Sequence, residues 1–155
     1  YIKTFEIDVL INNAGFGINK AFSASDLGAE QQMFDVLVRT PMRLMHVALP
    51  GMKERNSGTV INVSSVASFI AGGAYSASKA AVWGAMIAAT RELRRQQIDV
   101  IDARPPHTET GLATRPVAGV APKLPTGLEP DAVAARLVTA IKDGERDLPV
   151  EAFTA

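Results

Sequence analysis

Tyr75 and Lys79 stand four positions apart in the stretch YSASK. On a helix that spacing puts the phenol and the amine on one face. A free phenol gives up its proton near pH ~10, too high for easy exchange in neutral water. An ammonium at ~4 Å, in an effective dielectric of ~20, attracts a phenolate by roughly 4 kcal/mol, on the order of three pKa units before screening and desolvation. The spacing therefore predicts a phenol whose pKa is pulled down far enough to act as a general acid or base. Ser65, in NVSS, adds a hydroxyl that can hold a small polar oxygen against that phenol. The same pair on an isolated helix is plain surface decoration, so the elements around it decide.

Those elements alternate. Ile7–Ile11 (IDVLI) is a short β-branched apolar run stopped by NNAG, the pattern of a strand buried on both faces. From Leu27 to Leu49, Met33, Phe34, Leu37, Val38, Met42, Met45 and Leu49 recur at three- and four-residue steps, which predicts a helix that Pro41 kinks or splits. Pro50-Gly51 and Asn56-Ser57-Gly58 punctuate its exit. Thr59–Val63 is a second buried strand. An Ala-rich helix is expected over about 74–97, with Trp83, Ile87 and Leu93 along one side, and a third strand over 98–103. Residues 104–130 are rich in Pro, Gly and Thr and read as a long substrate-loop region, with room for one short helix. Pro130 suits the first turn of a last helix striped by Val133, Leu137, Ala140 and Ile141, and DLPV suits a final strand.

Strand–helix alternation predicts an α/β layer fold with a parallel sheet and right-handed crossovers. Ligands in such sheets sit beyond the carboxyl ends of the strands. That rim gathers Asn12–Gly15, Ser64-Ser65 and Arg104–Thr110, with Tyr75 and Lys79 close by. The chain has 155 residues, 47% apolar and 21% charged, with 16 basic and 16 acidic side chains, which suits one globular domain. Net neutrality argues against a nucleic-acid surface. With no cysteine and only His46 and His107 as imidazoles, no metal site is expected. The opening YIKTFEIDVL lacks signal-peptide order, and Lys79 interrupts the apolar stretch Phe69–Thr90, so no membrane span is expected and a cytoplasmic location fits.

Taken in order, NNAG, NVSS, YSASK and PPHTET, each with its strand context, resemble the short-chain dehydrogenase/reductase family over nearly the whole chain. The resemblance implies an NAD- or NADP-dependent oxidoreductase moving a hydride between nicotinamide and a small carbonyl or alcohol substrate. Ser65, Tyr75 and Lys79 would be catalytic. Asn12, Ala14, Gly15, Pro105, Thr108 and Thr110, with Tyr75 and Lys79, would bind the cofactor, whose oxidised cationic ring would help lower the phenol's pKa. Homo-oligomers through the two long helices would be usual.

The sequence also departs from that family. Leu37 stands where an Asn usually holds a water for a proton relay to the Lys. Pro106 replaces the usual Gly after Pro105. The Gly-rich cofactor turn and its selector residue are not found; Gly15 and Gly17, in GFGINKA, read as turn glycines instead. Residues 1–155 therefore read as a single partial Rossmann-type domain, the C-terminal catalytic part of a doubly wound parallel sheet with three to four strands. Its first strand would be a bare apolar edge. On this reading the isolated chain is marginally stable and binds nicotinamide poorly. The alternative is a non-catalytic remnant that binds a partner. Within the loop, His107 is a candidate substrate contact, and Arg104 with Glu109 a candidate ion pair; His46 reads as structural or surface.

Overall fold

A computed structural model describes residues 6–69 and 72–154. The first half of YIKTFEIDVL and two residues of the stretch Phe69–Thr90 lie outside them.

Four parallel strands form the sheet: β1 (Val9–Asn12), β3 (Gly58–Val63), β4 (Ile98–Ala103) and β6 (Asp147–Leu148), in the order β1-β3-β4-β6. Between them in the chain come β2 (Ile18–Asn19), α1 (Leu27–Phe34), α2 (Thr40–Arg55), α3 (Gly73–Leu93), β5 (Ala118–Gly119) and α4 (Pro130–Asp143). The expected doubly wound α/β architecture is present, with a hydrophobic layer on each sheet face. On one face Val60, Ile98 and Val100 meet Met45, Met52, Val82, Met86 and Leu93 from α2 and α3. On the other, Ile61, Ile101, Ala103 and Leu148 meet Ala140 of α4. Strand alternation divides the two sets, because successive side chains point to opposite faces.

The long first helix is continuous where Pro41 was expected to break it. Pro41 lies in the first turn of α2, where its missing N–H costs little. The irregularity falls just before it, in a π-helical turn over Asp35–Arg39 that buries Leu37 and Val38. Pro50-Gly51 does not end the helix either. The chain runs on to Arg55 and stops at Asn56, in left-handed backbone at φ 49°. Packing decides this: Met52 is fully buried, and a Cβ on Gly58 would come within 2.5 Å of it. On α3 the buried apolar stripe is Val82, Met86, Ala89 and Leu93; Leu93 lies on it as expected, whereas Trp83 and Ile87 are half-buried beside it.

β1 stands at the sheet edge, with Val9 41% and Ile11 52% exposed, so the strand whose composition called for burial on both faces is covered only in part. No described helix is long and apolar enough to cross a membrane.

Candidate active site

Lys79 organises the rim. It lies one turn into α3 and is 9% exposed. Its Nζ donates to the backbone carbonyl of Val63 at 3.0 Å, and lies 5.8 Å from the centroid of the Tyr75 ring. The amine thus joins the start of α3 to the end of β3, two residues before Ser65. Ser65 Oγ accepts from the Ala67 backbone N–H at 3.1 Å, which fixes the hydroxyl at the head of the 3-10 turn Val66–Phe69. The neighbouring Ser64 is buried, and both its N–H and its hydroxyl donate to the Ala103 carbonyl. β3, β4 and α3 are therefore stitched together at the carboxyl end of β3.

The electrostatics differ from the sequence expectation. Burial pushes the Tyr75 phenol up to about 12, whereas a lowered value was expected. The reason is geometric. The four-residue spacing sets the ammonium over the ring, and its hydrogen bond goes to Val63, so desolvation outweighs attraction. Burial also brings Lys79 down to about 8, against the opposing pull of the Asp102 carboxylate.

Asn12, at the carboxyl end of β1, is 7% exposed, and both its amide atoms are buried without a partner. Ala14 and Gly15 follow on the exposed rim. Gly15 and Gly17 are not in left-handed backbone. The missing side chain serves close approach at Gly15, where a Cβ would sit 2.7 Å from Leu37 Cδ2; on Gly17 one would make only ordinary contact with the Tyr75 ring, at 4.0 Å. Leu37 is thus packed beneath the NNAG turn and offers the site no polar atom.

After β4, Pro105 is buried and Thr108 Oγ donates to the Pro106 carbonyl at 3.0 Å. Thr110 is exposed, its Oγ accepting from Leu112 N–H at 3.4 Å. Arg104 and Glu109 do not pair. Arg104 bridges Asp102 at 2.5 Å and Asp147 at 2.6 Å, because β6 brings Asp147 level with Asp102. Glu109 meets His107 at 3.2 Å and accepts from Gly127 N–H at 2.7 Å. His107 is thereby occupied inside the loop, and His46 is exposed. The loop holds no helix; instead β5 pairs in parallel with β2, and Thr108 bridges Leu128. That two-residue pairing left no periodic signal in the sequence.

A cavity of about 770 Å³ opens beside the start of α3, lined by residues 19–22 and by Gly72, Ser76 and Ala80. Among the described residues no group of His, Asp and Glu could hold a metal ion.

A family model for short chain dehydrogenases matches residues 2–119. The chain belongs to that family. A ketoacyl reductase from Nostoc is 36% identical over 141 residues, 88% of this chain and 49% of the relative. A short-chain dehydrogenase from Burkholderia cenocepacia, solved with NADP, superposes with a TM-score of 0.80 at 26% identity, covering 94% of this chain and 63% of that one. A short-chain dehydrogenase from Sphingobium yanoikuyae, solved with NADPH, reaches a TM-score of 0.83 over 92% of this chain and 56% of that one; at 24% identity it speaks for the fold alone. The chain spans about half the length of the curated relatives it matches.

Proposed function

We propose that this short-chain dehydrogenase chain carries the catalytic groups of an NAD(P)-dependent oxidoreductase acting on a carbonyl or alcohol, with Tyr75, Lys79 and Ser65 in the working roles. The observation that carries the reading is the buried amine of Lys79, which spans the Tyr75 ring and the strand leading to Ser65. Burying an ammonium is costly, and strongly perturbed groups gather at functional sites.

Asn12 supports a fit for the cofactor: its unpartnered amide lies at the rim where ligands bind in such sheets. Asn12, Ala14, Gly15, Pro105, Thr108 and Thr110 would hold the nicotinamide cofactor together with Tyr75 and Lys79. When bound, that cofactor supplies or takes up the hydride. Tyr75 Oη gives its proton to the substrate oxygen during reduction and takes it back during oxidation. Its raised pKa keeps it protonated at neutral pH, which suits the reductive direction, since an alkoxide forming on the substrate is a stronger base than a phenolate. Lys79 lends positive charge beside the phenol, and the Ser65 hydroxyl donates to the substrate oxygen. Leu112, Val117, Val120 and Leu124, exposed along the loop, would cover the apolar part of the substrate. The exposed Leu27, Met42 and Val47 leave α1 and α2 a face for a second copy.

A non-catalytic, partner-binding role is the second reading, favoured by the raised phenol pKa and by Leu37 in an apolar contact. Reduced nicotinamide consumption with a panel of ketones and aldehydes separates the two. With reduced nicotinamide supplied in large excess to offset the weak binding expected of this chain, the purified protein should turn over at least one of them, and Tyr75→Phe should lose ~10²–10⁴-fold in rate. Undiminished turnover by folded Tyr75→Phe would remove the phenol from the chemistry.

A further inference from the structure

Three buried polar side chains cross the sheet in register: Asn12 on β1, Asn62 on β3 and Asp102 on β4. Strand alternation puts all three on the face toward α3, with Val60 and Val100 two residues below. Asp102 is the charged member, 8% exposed. One carboxylate oxygen accepts from Arg104 at 2.5 Å; the other is buried with no hydrogen-bond partner. The Lys79 amine comes down from α3 onto this row. It donates to the carbonyl of Val63, the residue after Asn62, and Val63 pairs in register with Ala103, the residue after Asp102. A buried cation and a half-used buried carboxylate are therefore carried on one sheet face, by two adjacent strands and the helix that covers them.

The other charged groups around α3 are engaged elsewhere or exposed. β2, β3 and the turn Val66–Phe69 carry none. In the π turn, Asp35 and Arg39 pair with each other at 2.6 Å. On α2, Lys53 pairs with Glu92 at 2.5 Å and Arg55 lies 3.8 Å from Asp8. Arg43, His46 and Glu54 of α2 are on exposed positions, Glu30 of α1 is partly exposed, and on β4 Asp99 pairs with Arg146. Lys79 has Tyr75 one turn back on its own helix and Asp102 beneath it. Asp102 is also the one charged group that shifts the amine, and it shifts it upward.

We propose that Asp102 is a positioning residue for Lys79: its carboxylate, held in place by Arg104, keeps the buried amine charged and seated against β3. This rests on the reading that Lys79 serves Tyr75. Leu37 offers the amine no polar atom, so its support comes from the sheet beneath it. Arg104 in turn bridges Asp102 and Asp147, which lie opposite each other on β4 and β6, where two like charges would otherwise repel.

NMR titration of the lysine ε-amine, in the whole protein, tests the coupling without any turnover. In Asp102→Asn the Lys79 amine should titrate about one pH unit lower than in wild type. Asp147→Asn, which removes only the outer partner of Arg104, should shift it less. Should Asp102→Asn fail to fold, Asp102→Ser takes its place, and the Lys79 amine should again titrate lower than in wild type. A folded Asp102→Asn or Asp102→Ser with Lys79 at its wild-type titration point overturns the proposal. Activity provides a separate arm. In Asp102→Asn the limb of the rate–pH profile that belongs to Lys79 should move down by the same step, with turnover still dependent on Tyr75. If Tyr75→Phe stays active, the enzymatic reading fails while the coupling is still decided by NMR.

Discussion

The segments that follow β3 and β4 are built on opposite principles. After β3 the chain turns at once, and three polar side chains there are tied to backbone groups. Ser64 is bound to Ala103, Ser65 to Ala67, and Lys79 to Val63. After β4 the chain runs from Arg104 to Glu129 before α4 begins, and its middle is open: Val117 is 67% and Val120 79% exposed. Its described ties include the β2–β5 pairing, the bridge from Thr108 to Leu128 and the Gly127 N–H donated to Glu109. A catalytic group works only within a narrow range of positions, whereas a cover must admit and release what it covers. On the proposed function, rigidity is concentrated where protons would move, and slack where shape would be read.

Changes in the tight segment should therefore act on chemistry and changes in the open one on binding. Tyr75→Phe carries the largest expected effect, the loss of rate stated above, with an unfolding midpoint near wild type.

Lys79→Met comes next, read through stability. The folded-state pKa of Lys79 is depressed from 10.5 to about 8. Between those values the unfolded chain binds more protons than the folded one, so stability rises with pH across that window. Urea unfolding of wild type at pH 7.5 and 9.5 should show a gain on the order of 2 kcal/mol from this group. Lys79→Met should lack that gain; an equal rise in the variant would show that the amine is not desolvated.

Gly119→Ala sharpens the comparison from the loop side. Gly119 sits at φ 91°, and a Cβ there would come 1.9 Å from the Asn19 carbonyl oxygen. The substitution should break the β2–β5 tie at a cost of about 1–3 kcal/mol, raise KM and leave kcat within a fewfold. A large fall in kcat with KM unchanged would contradict the division of labour. The smallest effect is expected from Val120→Ser, an exposed position, which should leave stability within ~0.5 kcal/mol and change only the preference among apolar substrates in a competition assay.

Much of this was legible in the residues themselves. Thr59–Val63 and Ile98–Ala103 announce strands by short runs rich in Val and Ile, and Pro130 marks the start of α4 to the residue. Failures cluster where packing outvotes local preference. Pro50 lies inside α2 because Met52 must reach the core, and the irregularity expected at Pro41 appears as the π turn before it. Arg104 found Asp102, two residues back, and Asp147 rather than Glu109; the choice of Asp147 was made by strand register, which no spacing along the chain could reveal.

Residue types and their order suffice to name the fold class, the family resemblance and the groups able to carry protons, because hydrophobic period and side-chain chemistry are local properties. Which way the phenol's acidity moves, and which carboxylate stands by the amine, were decided only when β3, β4 and α3 came together. Burial and electrostatic partnership belong to the space between elements, and that space exists only in the folded chain.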